Sequence, residues 1–85
     1  MTTQEIAVYG ANWCSDCHRT KQYLLDHKIP FTWVDTDANP EAETLVRQKN
    51  NGKRVIPTVV FEDGSCLSEP SNEELAEKIG LLIRA

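Results

Sequence analysis

Trp13-Cys14-Ser15-Asp16-Cys17 is the stretch on which the reading of this chain turns. Two cysteines separated by two residues are a common spacing, but here they follow the apolar run Ile6-Ala7-Val8-Tyr9 and precede a helical pattern. A sulfur at that junction faces the unpaired backbone N–H groups of a helix N-terminus and the positive end of its dipole, which favours a thiolate. Cys14 is therefore the candidate nucleophile. Cys17, one turn further in, is placed to attack the mixed disulfide that Cys14 forms and so release the product. Asp16 is the modulating residue, because its carboxylate opposes the dipole at Cys14 and biases the couple toward its reducing end.

Outward from this motif, strand and helix signals alternate. Residues 5–9 read as a strand covered on both faces. From Ser15 to about His27, Ser15, Arg19, Gln22 and Asp26 share one helical stripe, and Cys17, Thr20, Lys21 and Leu24 share another. That pattern turns Cys17 toward the core and leaves Cys14 at an exposed tip. Phe31-Thr32-Trp33-Val34-Asp35 follows Pro30 and is rich in aromatic and β-branched residues, which predicts a strand parallel to the first through a crossover helix. Asn39-Pro40-Glu41 supplies an N-cap, a first-turn proline and an early acid; Ala42, Leu45 and Val46 line one face until Asn50-Asn51-Gly52 stops the helix. Pro57-Thr58-Val59-Val60-Phe61 and Ser65-Cys66-Leu67-Ser68 flank Asp63-Gly64, a dipeptide suited to a tight antiparallel hairpin. Ser71-Asn72-Glu73-Glu74 has the form of a capping box before the apolar stripe Leu75, Ala76, Ile79, Leu82 and Ile83.

Composition narrows the function. An 85-residue chain is expected to make one domain, over residues 1–85, with one core and one site. Its net charge of -4 and pI near 5.0 speak against nucleic acid or a membrane surface as partner. Met1-Thr2-Thr3-Gln4-Glu5 lacks a basic segment leading into a long apolar region, so a cytoplasmic protein is expected. Three cysteines, an odd number, suit a reducing compartment in which one pair cycles and Cys66 fills space in a strand.

The order β-α-β-α-β-β-α with Cys-x-x-Cys at the first strand-to-helix junction resembles a glutaredoxin-type member of the thioredoxin superfamily. The resemblance covers nearly the whole chain and rests on Trp13-Cys14-x-x-Cys17, His18-Arg19-Thr20-Lys21, Val34-Asp35 and Val55-Ile56-Pro57-Thr58-Val59. It is similar in detail to the mycoredoxin-like branch, through Arg54, Asp63-Gly64-Ser65 and Pro70-Ser71. It implies an α/β thioredoxin fold, a four-stranded mixed sheet of order 2-1-3-4 flanked by three helices, and a thiol–disulfide oxidoreductase acting through Cys14 and Cys17. It also implies a cis Pro57 beside the site, strand-like hydrogen bonds from the Ile56 backbone to a bound thiol or peptide, and substrate-binding roles for Trp13, Ile56, Pro57, Ser71 and Asn72. The implied partners are disulfide-containing proteins and a thiol or flavoprotein reductant, with the protein itself a monomer. No tightly bound cofactor is implied, and mycothiol or glutathione is the co-substrate.

The departures from the family pattern bear on that co-substrate. Glutathione-using glutaredoxins commonly carry a lysine where this chain has Ala11, and a Gly-Gly pair where it has Ser68-Glu69-Pro70-Ser71. A lost cation and a new carboxylate both weaken recognition of a carboxylate-bearing thiol. Trp13 either covers the thiolate or packs on the final helix. Arg47, Lys49, Lys53 and Arg54 either help to hold a substrate carboxylate or form a solvated surface, while Asp35 and Asp37 end a strand and cap a helix. No metal site is expected, since the adjacent Cys17 and His18 point about 100° apart on a helix and His27 lies far along it. Two alternatives remain: an iron–sulfur or metal carrier of the same fold, against which Ser15-Asp16 speaks, and a ribonucleotide-reductase-type redoxin, whose C-terminal aromatic segment is missing here.

Overall fold

The computed structural model describes residues 6–84, with side chains through residue 80. Strands β1 (Ala7–Gly10), β2 (Thr32–Asp35), β3 (Thr58–Val60) and β4 (Cys66–Ser68) form one sheet in the order β2-β1-β3-β4. Helices α1 (Ser15–Asp26), α2 (Pro40–Lys49) and α3 (Asn72–Arg84) complete the expected β-α-β-α-β-β-α order. β1 and β2 are parallel, with Val8 opposite Trp33 and Gly10 opposite Asp35, as a crossover through α1 requires. β3 runs antiparallel to both β1 and β4, pairing Val59 with Val8 on one side and with Leu67 on the other.

The principal core joins Ile6, Val8, Leu24, Val59, Phe61, Leu75 and Ile79, so β1, β3, α1 and α3 share one apolar interior. Val8, Leu24, Val59 and Leu75 are fully buried, each contributing about 1.5–3 kcal/mol of transfer free energy. The stripe assignment for α1 holds for Cys17, Thr20 and Leu24, all fully buried. Coverage of β1 is less even than its apolar run suggests: Val8 and Gly10 are buried while Ala7 and Tyr9 are half-buried, and Glu5 lies outside the described residues.

Helix ends follow local chemistry. The Asn39 carboxamide accepts from the N–H groups of Glu41 and Ala42, with Pro40 in the first turn. Asn50 caps the other end of α2, and its side chain reaches Thr58 of β3 and Ser68 of β4, which ties the helix to the sheet. Asn51 and Gly52 then turn the chain at φ 58 and 88. The capping box of α3 is reciprocal: Ser71 N–H donates to Glu74 Oε1 at 2.8 Å and Glu74 N–H to Ser71 Oγ at 3.1 Å. Within the α3 stripe Leu75 and Ile79 are buried, but Ala76 is exposed, and the side chains of Leu82 and Ile83 lie outside the described residues. The β3–β4 hairpin is wider than a two-residue turn. Phe61 N–H bonds to Ser65 O, Gly64 takes φ 89, and the Asp63 carboxylate accepts from both the N–H and hydroxyl of Ser65.

Candidate active site

β1 ends at Gly10 and α1 begins at Ser15, so the intervening loop delivers Cys14 as the N-cap of α1 with φ -88 and ψ 116. Its sulfur takes the place of the usual capping oxygen: the N–H of Cys17 donates to Cys14 Sγ at 3.2 Å. Cys14 is 9% exposed, not at an exposed tip. Ala11, Cys14 and Cys17 form a second small core with Trp33 and Ile56 packed against it. The residues packed against this cluster come from β2 and from the loop before β3, outside the helical pattern that suggested exposure.

Cys17 is fully buried, and its sulfur lies directly beneath Gly10. A Cβ at Gly10 would stand 2.5 Å from Cys17 Sγ and 2.8 Å from Trp33 Cη2, so only a residue without a side chain lets the thiol and the indole meet there. Lys21, one turn after Cys17, places its ammonium 4.0 Å from the Trp33 ring centre. Burial above all, then the hydrogen bond with Cys14, pushes the Cys17 thiol up from 9.0 to about 12; the Cys14 and Asp16 charges act in the same direction and the Ala11 N–H opposes them. The Cys14 contributions exist only while Cys14 is unreacted. Both cysteines and Cys66 are free thiols.

The remaining residues expected at the site fall into three groups. The Ile56–Pro57 bond is cis, Pro57 is fully buried, and its carbonyl accepts from the N–H of Glu69 at 2.8 Å. Ser71 is engaged in the α3 capping box, and Asn72 Oδ1 accepts from Arg19 at 2.9 Å while Pro70 O accepts from the same guanidinium at 3.1 Å. Arg19 thus locks α1, two residues past Cys17, onto the start of α3. Asp16 is largely exposed and pairs loosely with Arg19 at 3.9 Å, so its charge is partly screened by a neighbour on its own helix.

Trp13 is 68% exposed. Its indole N–H donates to Asp37 Oδ2 at 2.7 Å, and the Arg54 guanidinium lies 5.8 Å from the ring centre. Arg54 in turn meets Asp37 Oδ1 at 2.5 Å and the Thr36 hydroxyl at 3.1 Å. Its Nε lies 3.2 Å from Glu43 Oε1 as an ion pair but is not aligned as a hydrogen-bond donor. Asp37 is held below the usual carboxylate range, first by the Trp13 bond and then by Arg54. The basic stretch is therefore largely occupied: Arg54 by these acids, Arg47 by Glu43 at 3.8 Å and Gly52 O, and Lys49 by Gly64 O. His18 Nε2 sits 2.5 Å from Asn12 O, and the His27 ring stacks on Tyr23, so both imidazoles have partners within their own neighbourhood.

Gly10, Lys21, Trp33 and Asp37 were not singled out as site residues from sequence. A glycine closing a strand next to the cysteine loop is a signal of close approach that would have found the first; the others carry no local signal.

A glutaredoxin family model matches residues 6–66. A Mycobacterium tuberculosis (strain H37Rv) protein named "Putative glutaredoxin" is 38% identical over 79 residues, 93% of this chain and 94% of that protein. Mycoredoxin 1 of Corynebacterium glutamicum is 30% identical over 77 residues, 91% of this chain and 95% of that one. Among solved structures, the glutaredoxin-like NrdH-redoxin of Escherichia coli, described by its thioredoxin-like activity profile, superposes with a TM-score of 0.74 at 27% identity, covering 86% of this chain and 92% of that chain.

Proposed function

The chain belongs to the glutaredoxin family and is a thiol–disulfide oxidoreductase, and from that premise we propose that it reduces protein disulfides and mixed disulfides with low-molecular-weight thiols through Cys14 and Cys17. The observation that carries this reading is the sulfur of Cys14 capping α1, 3.2 Å from the N–H of Cys17, with the second thiol buried one turn deeper.

The Cys14 thiolate attacks one sulfur of the substrate disulfide, the S–S bond breaks, and the first substrate thiol leaves with a proton from solvent. The mixed disulfide has consumed the Cys14 charge and its hydrogen bond, two of the causes that held the Cys17 proton in place. Cys17 then loses that proton and attacks Cys14 Sγ, the second substrate thiol departs, and the Cys14–Cys17 disulfide forms. Two electrons have passed to the substrate, and an external thiol or dithiol returns them.

For that return, mycothiol is favoured over glutathione. Ala11 is fully buried against the two cysteines, so no cation stands there for a carboxylate, and Glu69 is an exposed acid at φ 47 where a glycine would sit more easily. Likeness to Mycoredoxin 1 supports the same choice. The thioredoxin-like profile named for the Escherichia coli NrdH-redoxin favours a second reading, in which a flavoprotein reductase supplies the electrons. The same proposal takes the protein to be a cytoplasmic monomer. Among the described residues no helix is long and apolar enough to cross a membrane.

The test is reduction of a disulfide-bridged peptide by wild type, Cys14→Ser and Cys17→Ser, with mycothiol, glutathione and thioredoxin reductase systems in parallel. Cys14→Ser loses all reduction, and Cys17→Ser stops at a mixed disulfide seen as a mass increase. Identical behaviour of the two variants, or faster alkylation of Cys17 than of Cys14, overturns the roles. Brown protein that dimerises on purification replaces them with the iron–sulfur carrier.

A further inference from the structure

The indole beside the nucleophile is the most conspicuous feature that the reduction chemistry does not use. A tryptophan left 68% exposed forgoes the burial that its large apolar surface offers, and an unrestrained side chain in solvent samples several rotamers. Trp13 is instead fixed. Its single donor is bound to Asp37 at 2.7 Å, and Asp37 is fixed in turn by Arg54 and by its own N–H, which donates to Asp35 Oδ1 at 2.9 Å. Arg54 is anchored through the Thr36 hydroxyl, and that hydroxyl donates to Gly10 O at 3.1 Å, directly over the Cys17 sulfur. A continuous chain of polar contacts therefore runs from Gly10, the residue above the Cys17 sulfur, to the exposed ring. Apart from the local contact of Asp37 with Asp35, these links join β1, the loop before α1, the β2–α2 connection and the loop before β3.

We propose that Asp37 is a positioning residue for the reaction, holding the Trp13 indole as a preset platform on which the polypeptide flanking a substrate disulfide packs while Cys14 attacks. This rests on Cys14 as nucleophile. Cys14 is nearly buried, so a substrate sulfur must be guided down to it, and a ring immobilised before binding lowers the ordering cost of that approach. A disulfide with no flanking chain gains nothing from the platform.

The experiment is single-turnover reduction, with reduced protein and excess oxidised probe, of a disulfide-bridged peptide and separately of hydroxyethyl disulfide. Asp37→Leu and Trp13→Phe, the second lacking the N–H, each raise the half-saturating peptide concentration by roughly three- to tenfold with little change in the limiting rate, and the double variant is no worse than either single. Asp37→Asn, which keeps an acceptor for the indole, stays within about twofold of wild type on the same scale. Hydroxyethyl disulfide and iodoacetamide, which present no flanking chain, respond to each variant by less than the peptide does. Asp63→Asn, in the remote hairpin, controls for a loss of stability without a loss of peptide binding. Unchanged half-saturation in Trp13→Phe overturns the proposal whether or not Asp37→Leu folds. Equal losses on hydroxyethyl disulfide also overturn it, because Asp37 would then act on the thiol. Failure of the underlying reading looks different: wild type itself would then leave both probes unreduced.

Discussion

Gly10→Ala adds one carbon directly against the Cys17 sulfur. Its position would be 2.5 Å from Cys17 Sγ, 2.8 Å from Trp33 Cη2 and 3.1 Å from Trp33 Cζ3. Ordinary contacts of this kind lie at about 3.5–4.0 Å, so the sulfur or the strand must shift by about 1 Å. Overpacking of this kind costs about 1–3 kcal/mol, offset by up to about 1 kcal/mol because alanine restricts the unfolded chain more than glycine does. A net loss near 1–2 kcal/mol corresponds to a fall in Tm of about 4–16 °C for a domain of this size. The chemical consequence exceeds the thermal one. A displacement of about 1 Å in a reacting atom can cost on the order of a hundredfold in rate, and here the displaced atom is the sulfur to which we assign the resolving step. With a peptide disulfide in a quenched time course, Gly10→Ala therefore accumulates the Cys14 mixed disulfide, which intact mass spectrometry detects, while the first attack proceeds near its normal rate. Trp33→Leu in the same background removes two of the three close contacts and recovers part of the Tm. Wild-type stability together with wild-type resolution in Gly10→Ala would refute the view that Cys17 is held against a bare backbone.

Three further outcomes are expected. Because the folded state holds the Cys17 proton to about 12 and the unfolded chain only to about 9.0, that contribution to stability is complete below the lower value and is lost as pH rises through the upper one; Cys17→Ala should flatten the alkaline fall measured by urea unfolding, and an unaltered slope would count against the raised thiol. Gly80 lies in α3 with nothing within 4 Å of an added Cβ, so Gly80→Ala should gain up to about 1 kcal/mol in denaturant unfolding, and a loss would mean that the helix is not continuous there. Cys66 is half-buried in β4 opposite Val60, and Cys66→Ala should turn over peptide disulfides near the wild-type rate; a large fall without unfolding would reveal a third redox partner.

The parts of this protein legible in the sequence are those set within a few residues. The spacing of Cys17, Thr20 and Leu24 aimed one face of α1 at the core; Asn39 and Ser71 with Glu74 marked the helix starts; Asp63-Gly64 marked the hairpin. Each depends on backbone periodicity or on a side chain bonding to its own neighbours, so the order of elements and the position of the cysteine pair followed from local chemistry. Family resemblance supplied the sheet order and the cis proline. What the tertiary structure alone decided is the environment of the two sulfurs. Cys14 and Cys17 belong to a small cluster against which Ile56 and Trp33 pack from distant segments, and Cys17 fits because Gly10 at the end of β1 carries no side chain above it. Trp13 stands exposed with its N–H bound to a carboxylate 24 residues along the chain, and Arg54 is engaged by Asp37 of the β2–α2 connection and Glu43 of α2 rather than by substrate. Burial and pairing of this kind are sums over contacts remote in sequence, set by strand register and by how helices seat on the sheet, and no local pattern encodes them.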